Sequence, residues 1–174
     1  MEHGSHTVDI LNSSGTIIGT KLRKDIDKKQ DIYHSVYVLL ITPQGEVALS
    51  RIKERSDLPN LYVDLYGTTI ATIVRTGESS DEAARRAMSR ELFIDEAVAV
   101  FVGETFETLR DKKKAMMSFF YVIGDPPDTY SQTDLSPLEL FSPTEVSRQL
   151  HDRREEFAPT FQLLWEKYSS DLPL

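Results

Sequence analysis

The chain is predicted to fold as one domain of the mixed α/β or α+β class, with helices beside a mixed β-sheet. Predicted strands stand before and after a central helix, and further helices close the chain. Residues 32–41 are almost continuously apolar, β-branched and aromatic, as expected of a buried strand. The length of 174 residues suits a single core. We assign residues 8–174 to this domain and residues 1–7 to a disordered or cloning-derived segment.

The first half of the domain is predicted to consist of strands. Turn residues separate short runs rich in β-branched and aromatic side chains, which is the pattern of hairpins. Pro59 excludes regular pairing in the loop before the last of these runs. The predicted elements are, in order, a hairpin over 7–22 with its turn at 12–15, strands over 32–41 and 46–52, a loop over 53–60, and one or two strands over 61–74.

A helix is predicted to begin near Ser80, because Ser79 and Glu82 have the spacing of a capping box. Ser142, Pro143 and Glu145 mark the start of a second helix in a similar way. The remaining predicted elements are strands over 97–109 and 115–124, a loop over 124–134, a short strand near 137–141, and an amphipathic helix with Pro159 near its start.

Composition and charge exclude several classes of function. The formal net charge of −8 argues against long-range attraction to nucleic acid, although a local field in a pocket still admits small anions. No apolar run approaches the roughly 18 residues that span a membrane, and the N-terminus lacks the apolar stretch of a secretory signal. The absence of cysteine excludes disulfides and thiol chemistry. We expect a cytoplasmic protein that binds neither nucleic acid nor membranes, and we interpret the basic clusters at 21–29 and 112–114 as solvated turns.

One carboxylate of the central helix is in an unusual place. At about 100° per residue, Glu91 falls in the middle of the apolar arc, among alanines. A carboxylate buried there without a partner would cost several kcal/mol. The helix therefore predicts a partner for Glu91, which is an arginine, backbone amides, a metal ion or a water-filled cleft. A structural ion pair with an arginine is the alternative without a functional role.

The sequence around this helix resembles the Nudix box, G-x5-E-x7-R-E-U-x-E-E-x-G-U, in which U is apolar. In Nudix hydrolases the glutamates of the box bind Mg²⁺ on the diphosphate of a nucleoside-diphosphate-linked substrate. The positions that agree are Glu78, Arg86, Met88, Glu91 and Ile94, whereas Thr72 and Phe93 replace glycines and Ala87 and Arg90 replace glutamates. The flanks, over roughly 8–150, resemble Nudix proteins similar to isopentenyl-diphosphate isomerase. The resemblance implies the Nudix α/β/α sandwich around a mixed sheet.

A second register, shifted by one helical turn, matches the box at Glu82, Arg90, Glu91, Leu92 and Val98. It would place Glu91 and Asp95 on one helix face as a metal pair, and it requires the helix to continue through Phe93. We prefer the first register because it keeps the cap at Ser79 and the approach through Gly77.

In the first register the resemblance implies an impaired metal site. Glu91 is the remaining box glutamate on the metal-facing arc, and Arg90 brings a positive charge to that arc. Mg²⁺ is typically held by one or two carboxylates plus substrate phosphates. Isomerase chemistry is excluded because the cysteine and histidine of that family fall on Ala71 and Ile73. His34 is near that family's metal histidine, but we interpret it as a core histidine.

Three hypotheses follow. The chain is a weak or inactive Nudix protein that binds a small phosphate-containing ligand such as a nucleotide, a divergent Mg²⁺-dependent hydrolase with substitute carboxylates, or a scaffold. A homodimer is left open. The candidate residues are Glu91 and Glu78 for catalysis, Arg86, Arg90, Arg55, Lys53 and Tyr66 for ligand binding, and Glu91, Glu78 and Asp95 for metal binding.

Overall fold

The protein, represented by a computed structural model, is described over residues 5–55 and 59–174. Part of the predicted loop, 56–58, and the N-terminal residues 1–4 lie outside the described residues. The described strands are β1 (Thr7–Leu11), β2 (Ile17–Leu22), β3 (His34–Ile41), β4 (Val47–Arg51), β5 (Tyr66–Gly67), β6 (Ile70–Ile73), β7 (Val100–Thr108), β8 (Lys114–Ile123) and β9 (Leu138–Phe141). The described α-helices are α1 (Ser80–Ala87), α2 (Pro143–Asp152) and α3 (Pro159–Tyr168).

Most of the described strands form one mixed sheet. Its main order is β5-β4-β3-β8-β7, with β6 also paired to β3 and β9 also paired to β4. Strands β3 and β8 run parallel from His34 to Ile41, and the other pairings between strands of this sheet are antiparallel. Strands β1 and β2 form a separate hairpin, as predicted, and Gly15 in its turn has a φ of 85° that suits glycine.

Helices cover both faces of the sheet. On one face, the small side chains of α1, such as Ala84 and Ala87, pack against Val36 and Val38 of β3. On the other face, aromatic side chains of α3 pack against the alternate residues of the same strand. The predicted α/β/α arrangement around a mixed sheet is therefore confirmed. In the part of the chain that the structure describes, no helix combines the length and apolar character needed to cross a bilayer.

The sheet opens as a wedge between β3 and β4. These strands pair only at Leu40 with Ala48 and at Ile41 with Val47, after which β6 takes the place of β4 beside β3. The hydroxyl of Thr69 closes the narrow end of the wedge, because it accepts a hydrogen bond from Leu40 N at 2.7 Å and donates to Ala48 O at 2.5 Å. The open end of the wedge leads to the candidate site.

Helix α1 continues as a π-helical turn over Met88–Leu92 and ends there. Its start has the predicted capping box between Ser79 and Glu82. Phe93 follows in the left-handed conformation, with a φ of 57°. The second box register requires a helix through Phe93, so the observed bounds fit the first register instead.

Candidate functional site

A cavity of about 190 Å³ lies in the wedge, next to the end of α1. Its described lining combines strongly basic side chains with few acidic ones. The basic residues are Arg23, Lys28, Arg51, Lys53, Arg55, Arg90 and Lys113, and the acidic residues are Glu91 and Asp134. This basic surface belongs to a chain whose formal net charge is −8. A concave surface with such an excess of positive charge attracts small anions.

Glu91 is almost completely buried, with 2% of its surface exposed. Its partner is Arg90, whose Nη2 donates a hydrogen bond to Glu91 Oε1. Burial raises the pKa of the Glu91 carboxyl above its ordinary value, and the charge and hydrogen bond of Arg90 offset only part of that effect. Arg90 Nε is itself buried and has no hydrogen-bond partner among the described residues. The pair is therefore incompletely satisfied.

The loop before β9 brings a second carboxylate to the cavity. Ser131 N donates to the Glu91 carbonyl at 2.8 Å, which fixes the loop on the end of the helix. Ser131 Oγ then donates to Asp134 Oδ2 at 2.7 Å. Arg55 Nη1 lies 3.2 Å from Asp134 Oδ1, and Lys53 Nζ donates to a carbonyl of the same loop. Sequence reasoning missed Asp134, although its spacing from Ser131 is a local signal for an ordered turn.

Glu78 and Arg86 are not among the residues that line the cavity. They form a bidentate pair, with Arg86 Nε 2.6 Å from Glu78 Oε1 and Arg86 Nη2 2.8 Å from Glu78 Oε2. Arg86 also donates to Thr72 Oγ1 and to Ile73 O on β6, and Arg75 N donates to Glu78 Oε2. Burial raises the pKa of Glu78, but these hydrogen bonds outweigh it, so the pKa lies below its usual value. The pair ties α1 to β6, and we leave it out of the proposed site.

Two further candidates also lie away from the cavity. Tyr66 is buried in the core, where its hydroxyl donates to Glu139 Oε2 at 2.7 Å. The Arg51 guanidinium lies 3.9 Å from the centre of the Tyr66 ring, so Tyr66 contacts an arginine of the cavity lining without lining the cavity itself. Asp95 is exposed and accepts a hydrogen bond from Ser89. Successive side chains of a strand point to opposite faces of the sheet, which explains why Tyr66 lies in the core and not in the cavity.

The acidic side chains predicted for a metal site are dispersed in this structure. Within 5–55 and 59–174, no group of three or more histidine or acidic side chains is arranged to hold a metal. Glu78 and Glu91 are each paired with an arginine, and the Ala87 position is fully buried in the core. The predicted metal set of Glu78, Glu91 and Asp95 therefore does not come together as one site.

The sequence predicted that the basic clusters at 21–29 and 112–114 are solvated turns, but part of each cluster lies in the cavity wall. Arg23, Lys28 and Lys113 line the cavity. Lys113 Nζ lies 4.7 Å from the centre of the Tyr33 ring, and burial lowers the pKa of Lys113, with nearby aspartates offsetting part of the effect. The segment before β3 and the β7–β8 turn meet over the open end of the wedge. This contact is tertiary and has no local sequence signal.

His34 is placed outside the cavity lining. Its Nε2 lies 2.8 Å from Ser118 Oγ, which in turn donates to Glu104 Oε2 at 2.8 Å. Burial lowers the pKa of His34, and Glu104 offsets part of that effect.

No family model matches the chain. It is 22% identical over 140 residues to a Nudix hydrolase of Deinococcus radiodurans, with 80% of each chain covered. The crystal structure of DR0079 from Deinococcus radiodurans superposes with a TM-score of 0.76 at 19% identity, covering 93% of this chain and 98% of that one. The Nudix domain of Shewanella oneidensis NrtR, solved with ADP ribose, gives a TM-score of 0.57 at 14% identity, with coverages of 82% and 91%. The chain is therefore similar in sequence to a Nudix hydrolase and has the fold of Nudix proteins.

The residue that follows the helix has an unusual backbone conformation. Phe93 stands at the position where the first register has a glycine, and it adopts the left-handed conformation that glycine adopts without strain. A bulky residue there costs on the order of 1–3 kcal/mol. The helix therefore ends at Leu92 with a residue other than glycine in the left-handed position that follows.

Proposed function

We propose that the cavity binds a small phosphate-containing ligand such as a nucleotide, and that metal-dependent hydrolysis is weak or absent. The observation that carries this proposal is the position of Arg90. It replaces a box glutamate, lines the cavity and pairs with Glu91. The cation beside Glu91 is thus a guanidinium that belongs to the protein.

Arg90 has the chemistry required for a phosphate partner. A guanidinium presents several donors in a planar fork and binds phosphate oxygens in a bidentate manner. Arg90 uses Nη2 for Glu91, whereas its Nε has no partner among the described residues. Arg55 and Lys53 line the same cavity and add positive charge there.

Aromatic side chains supply a surface for the rest of a nucleotide. Tyr33 and Tyr62 both line the cavity, and Tyr62 is held by a 2.5 Å hydrogen bond from its hydroxyl to Asp111. Flat aromatic faces of this kind favour stacked contacts with a planar ring. The Nudix domain of NrtR was solved with ADP ribose, which makes that molecule a suitable first probe for this chain.

Calorimetry and a turnover assay test the proposal together. The probes are ADP, ADP-ribose and UDP-glucose, each measured with Mg²⁺ and with EDTA. We expect binding that EDTA does not abolish, and little or no turnover. Metal-dependent turnover at rates usual for enzymes would contradict the proposal, and no binding of any probe would favour a scaffold.

A matched pair of variants locates the site. R90Q/E91Q removes the guanidinium and its carboxylate together, so no buried charge is left unpaired. We expect its affinity for the bound probe to fall about tenfold or more, the scale of a charge-assisted hydrogen bond. R85Q, on the exposed side of the same helix, should change affinity by less than about twofold. Equal losses in both variants would place the ligand elsewhere.

A further inference from the structure

Strand β2 is the outer strand of the β1–β2 hairpin, and it is exposed along its whole length. Ile17 and Ile18 are 57% and 65% exposed, and Leu22 is 37% exposed. The adjoining strand β1 is in contrast anchored in the core, where Val8 is fully buried. A strand with large apolar side chains in solvent, and with β1 as its one neighbour among the described strands, indicates a contact surface.

The backbone of β2 has hydrogen-bonding groups that are directed away from β1. Arg23 N donates to His6 O at 3.0 Å, just beyond the last residue pair of the hairpin. That pair, Thr7 with Leu22, is therefore of the non-hydrogen-bonded kind. The N–H and C=O groups of Leu22 point outward as a result, and by alternation along the strand those of Thr20 do as well. In the part of the chain that the structure describes, these groups have no backbone partner, so the edge is open to a further strand.

The side chains on the outer face of β2 are arranged symmetrically around Thr20. The residues of β2 that lie opposite Val8 and Ile10 face the core with them, so the alternate residues Ile18, Thr20 and Leu22 share the outer face. Thr20 thus stands midway between two apolar residues. An antiparallel pairing of two copies around a two-fold axis at Thr20 places Thr20 opposite Thr20, and it places Ile18 of each copy opposite Leu22 of the other.

This register matches like with like. Threonine pairs and apolar pairs across neighbouring strands stabilise a sheet, and the outward groups of Thr20 exchange both hydrogen bonds with those of its counterpart. Ile18 has no partner on β1, because the register of the hairpin shifts there. A two-fold axis at Gly19 or at Lys21 would instead place both Ile18 and Leu22 opposite polar residues.

Charge and space also permit the pairing. Edge lysines often keep strands apart, but Lys21 is neutralised within its own chain, since its Nζ donates to both carboxylate oxygens of Asp31 at 2.8 and 2.7 Å. Gly19 would lie opposite Lys21 of the other copy. A Cβ added at Gly19 would meet no atom of its own chain within 4 Å, so the fold of a single chain does not require glycine there. Glycine within a strand often marks the close approach of another backbone.

We propose that β2 is the contact surface for a second copy of this chain. The two copies pair antiparallel around a two-fold axis at Thr20, and their hairpins form one continuous sheet. The symmetry around Thr20 favours a second copy over any other occupant, because the same residues serve both sides of the contact. The dimer goes beyond the proposed function and does not depend on it, since β2 lies outside the cavity lining.

Sedimentation equilibrium over a range of protein concentrations tests the dimer. We expect the wild-type protein to dimerise reversibly. I18K places a charge opposite Leu22 and should raise the dissociation constant of the dimer at least tenfold, and L22E should do the same. The double variant I18K/L22E places opposite charges across from each other in this register, so we expect it to recover most of the lost affinity.

The matched control is V98K, because Val98 is 77% exposed and lies outside the hairpin. It should leave the dissociation constant within about twofold. A wild-type protein that is monomeric at every concentration would overturn the proposal. A dimer that tolerates I18K, or that V98K disrupts, would place the contact elsewhere and would overturn it as well.

Cross-linking gives a readout of the register itself. The chain has no cysteine, so T20C introduces a single thiol. Residues of a hydrogen-bonded antiparallel pair have Cα atoms about 5.5 Å apart, a distance that a disulfide spans. Under mild oxidation we expect T20C to form a linked dimer at least ten times faster than S13C, whose thiols would lie well over 20 Å apart at about 3.3 Å per residue. Equal rates for T20C and S13C would reflect random collision and would contradict the two-fold axis at Thr20.

Discussion

Two glutamate–arginine pairs involve α1 and its π-helical continuation, one through Glu78 just before the helix and one through Glu91 at its end, and they differ in how completely they are satisfied. Near the start, Arg86 donates to both oxygens of Glu78 and to two acceptors on β6. At the end, Arg90 donates to one oxygen of Glu91, and its Nε is buried without a partner in the described chain. The hydrogen bonds to Glu78 outweigh its burial and lower its pKa, whereas burial dominates at Glu91 and raises its pKa.

This difference separates two roles that the same residue types serve in one helix. A pair whose hydrogen bonds are all made stabilises the fold, and a ligand would gain little by disturbing it. A pair with a spare donor at the wall of a basic cavity retains the capacity to bind an anion. We propose that the helix end with the π-helical turn is the second kind, since π-helical turns occur frequently at functional sites.

The largest effect is expected from breaking the pair at the start of the helix. R86M removes the donors that satisfy Glu78, whose side chain is only 12% exposed in the ion pair. Loss of one partner from a buried pair typically costs about 3–5 kcal/mol, and we expect a loss of about 3 kcal/mol in the free energy of unfolding. Urea denaturation measures it.

The neighbouring R85M is the control, because Arg85 is exposed and its loss should change stability by no more than about 0.5 kcal/mol. Similar destabilisation by R86M and R85M would show that the Glu78 pair is not the fixed end of the helix.

A second effect is expected at the other end, where R90E would bring a further carboxylate beside Glu91 and Asp134. Without metal, the variant should be less stable because Glu91 loses its buried partner. Mg²⁺ or Mn²⁺ should restore stability, by about 2.7 kcal/mol at a concentration one hundred times the Kd.

Thermal unfolding with and without the metal ion measures this rescue. R90Q, which also removes the arginine but adds no carboxylate, should show none of it. A metal effect of the same size in R90Q and R90E would disprove the idea that Arg90 takes the place of a cation. Ala87 is a poorer position for the same test, because it is fully buried in the core and a glutamate there would lose its solvation.

The two ends also differ in how far the sequence predicts them. The start of the helix follows from local chemistry, since Ser79 and Glu82 form the predicted capping box. The need of Glu91 for a partner also follows from helical periodicity, and the partner is an arginine. The bidentate contact of Arg86 with Glu78 did not follow, because both residues match the box and were expected in catalysis or ligand binding.

The basic lining of the cavity was the least predictable feature. Arg23 and Lys113 come from segments far apart in the chain, and each belongs to a charge run that is typical of exposed turns. The tertiary fold brings them to one surface. Strand and helix types followed from periodicity and caps, whereas the meeting of loops over a wedge depends on the whole fold.

A smaller effect distinguishes the two glutamates by pH. The pKa of Glu78 is lowered in the folded state, so its stabilisation is present above the unfolded pKa of about 4.3 and is lost as the pH falls. The pKa of Glu91 is raised, so its contribution is present below about 4.3 and is lost as the pH rises through the folded value.

At pH 7 we therefore expect E78Q to be less stable than the wild-type protein by about 1–2 kcal/mol. For E91Q we expect the difference in stability from the wild-type protein to shift in favour of the variant as the pH rises. Unfolding free energies measured from pH 3 to pH 8 should show that the stability difference between E78Q and the wild-type protein shrinks in acid. The stability of the wild-type protein relative to E91Q should increase in acid. Parallel pH profiles for the two variants would show that Glu78 and Glu91 do not differ in their electrostatic contribution to stability.

The smallest effect concerns a cavity residue from the β7–β8 turn. Lys113 lines the cavity beside Tyr33, whereas its neighbour Lys112 is exposed in the same turn. If the end of the helix with Arg90 faces the ligand, K113Q should weaken binding of ADP-ribose about three- to fivefold, because one partly screened charge is lost from the local field. K112Q makes the same change in net charge and should alter the affinity by less than half as much. Equal effects of K113Q and K112Q at low salt would mean that the ligand responds to the overall charge of the protein. Arg90 alone would then support the contrast between a structural and a ligand-facing end of the helix.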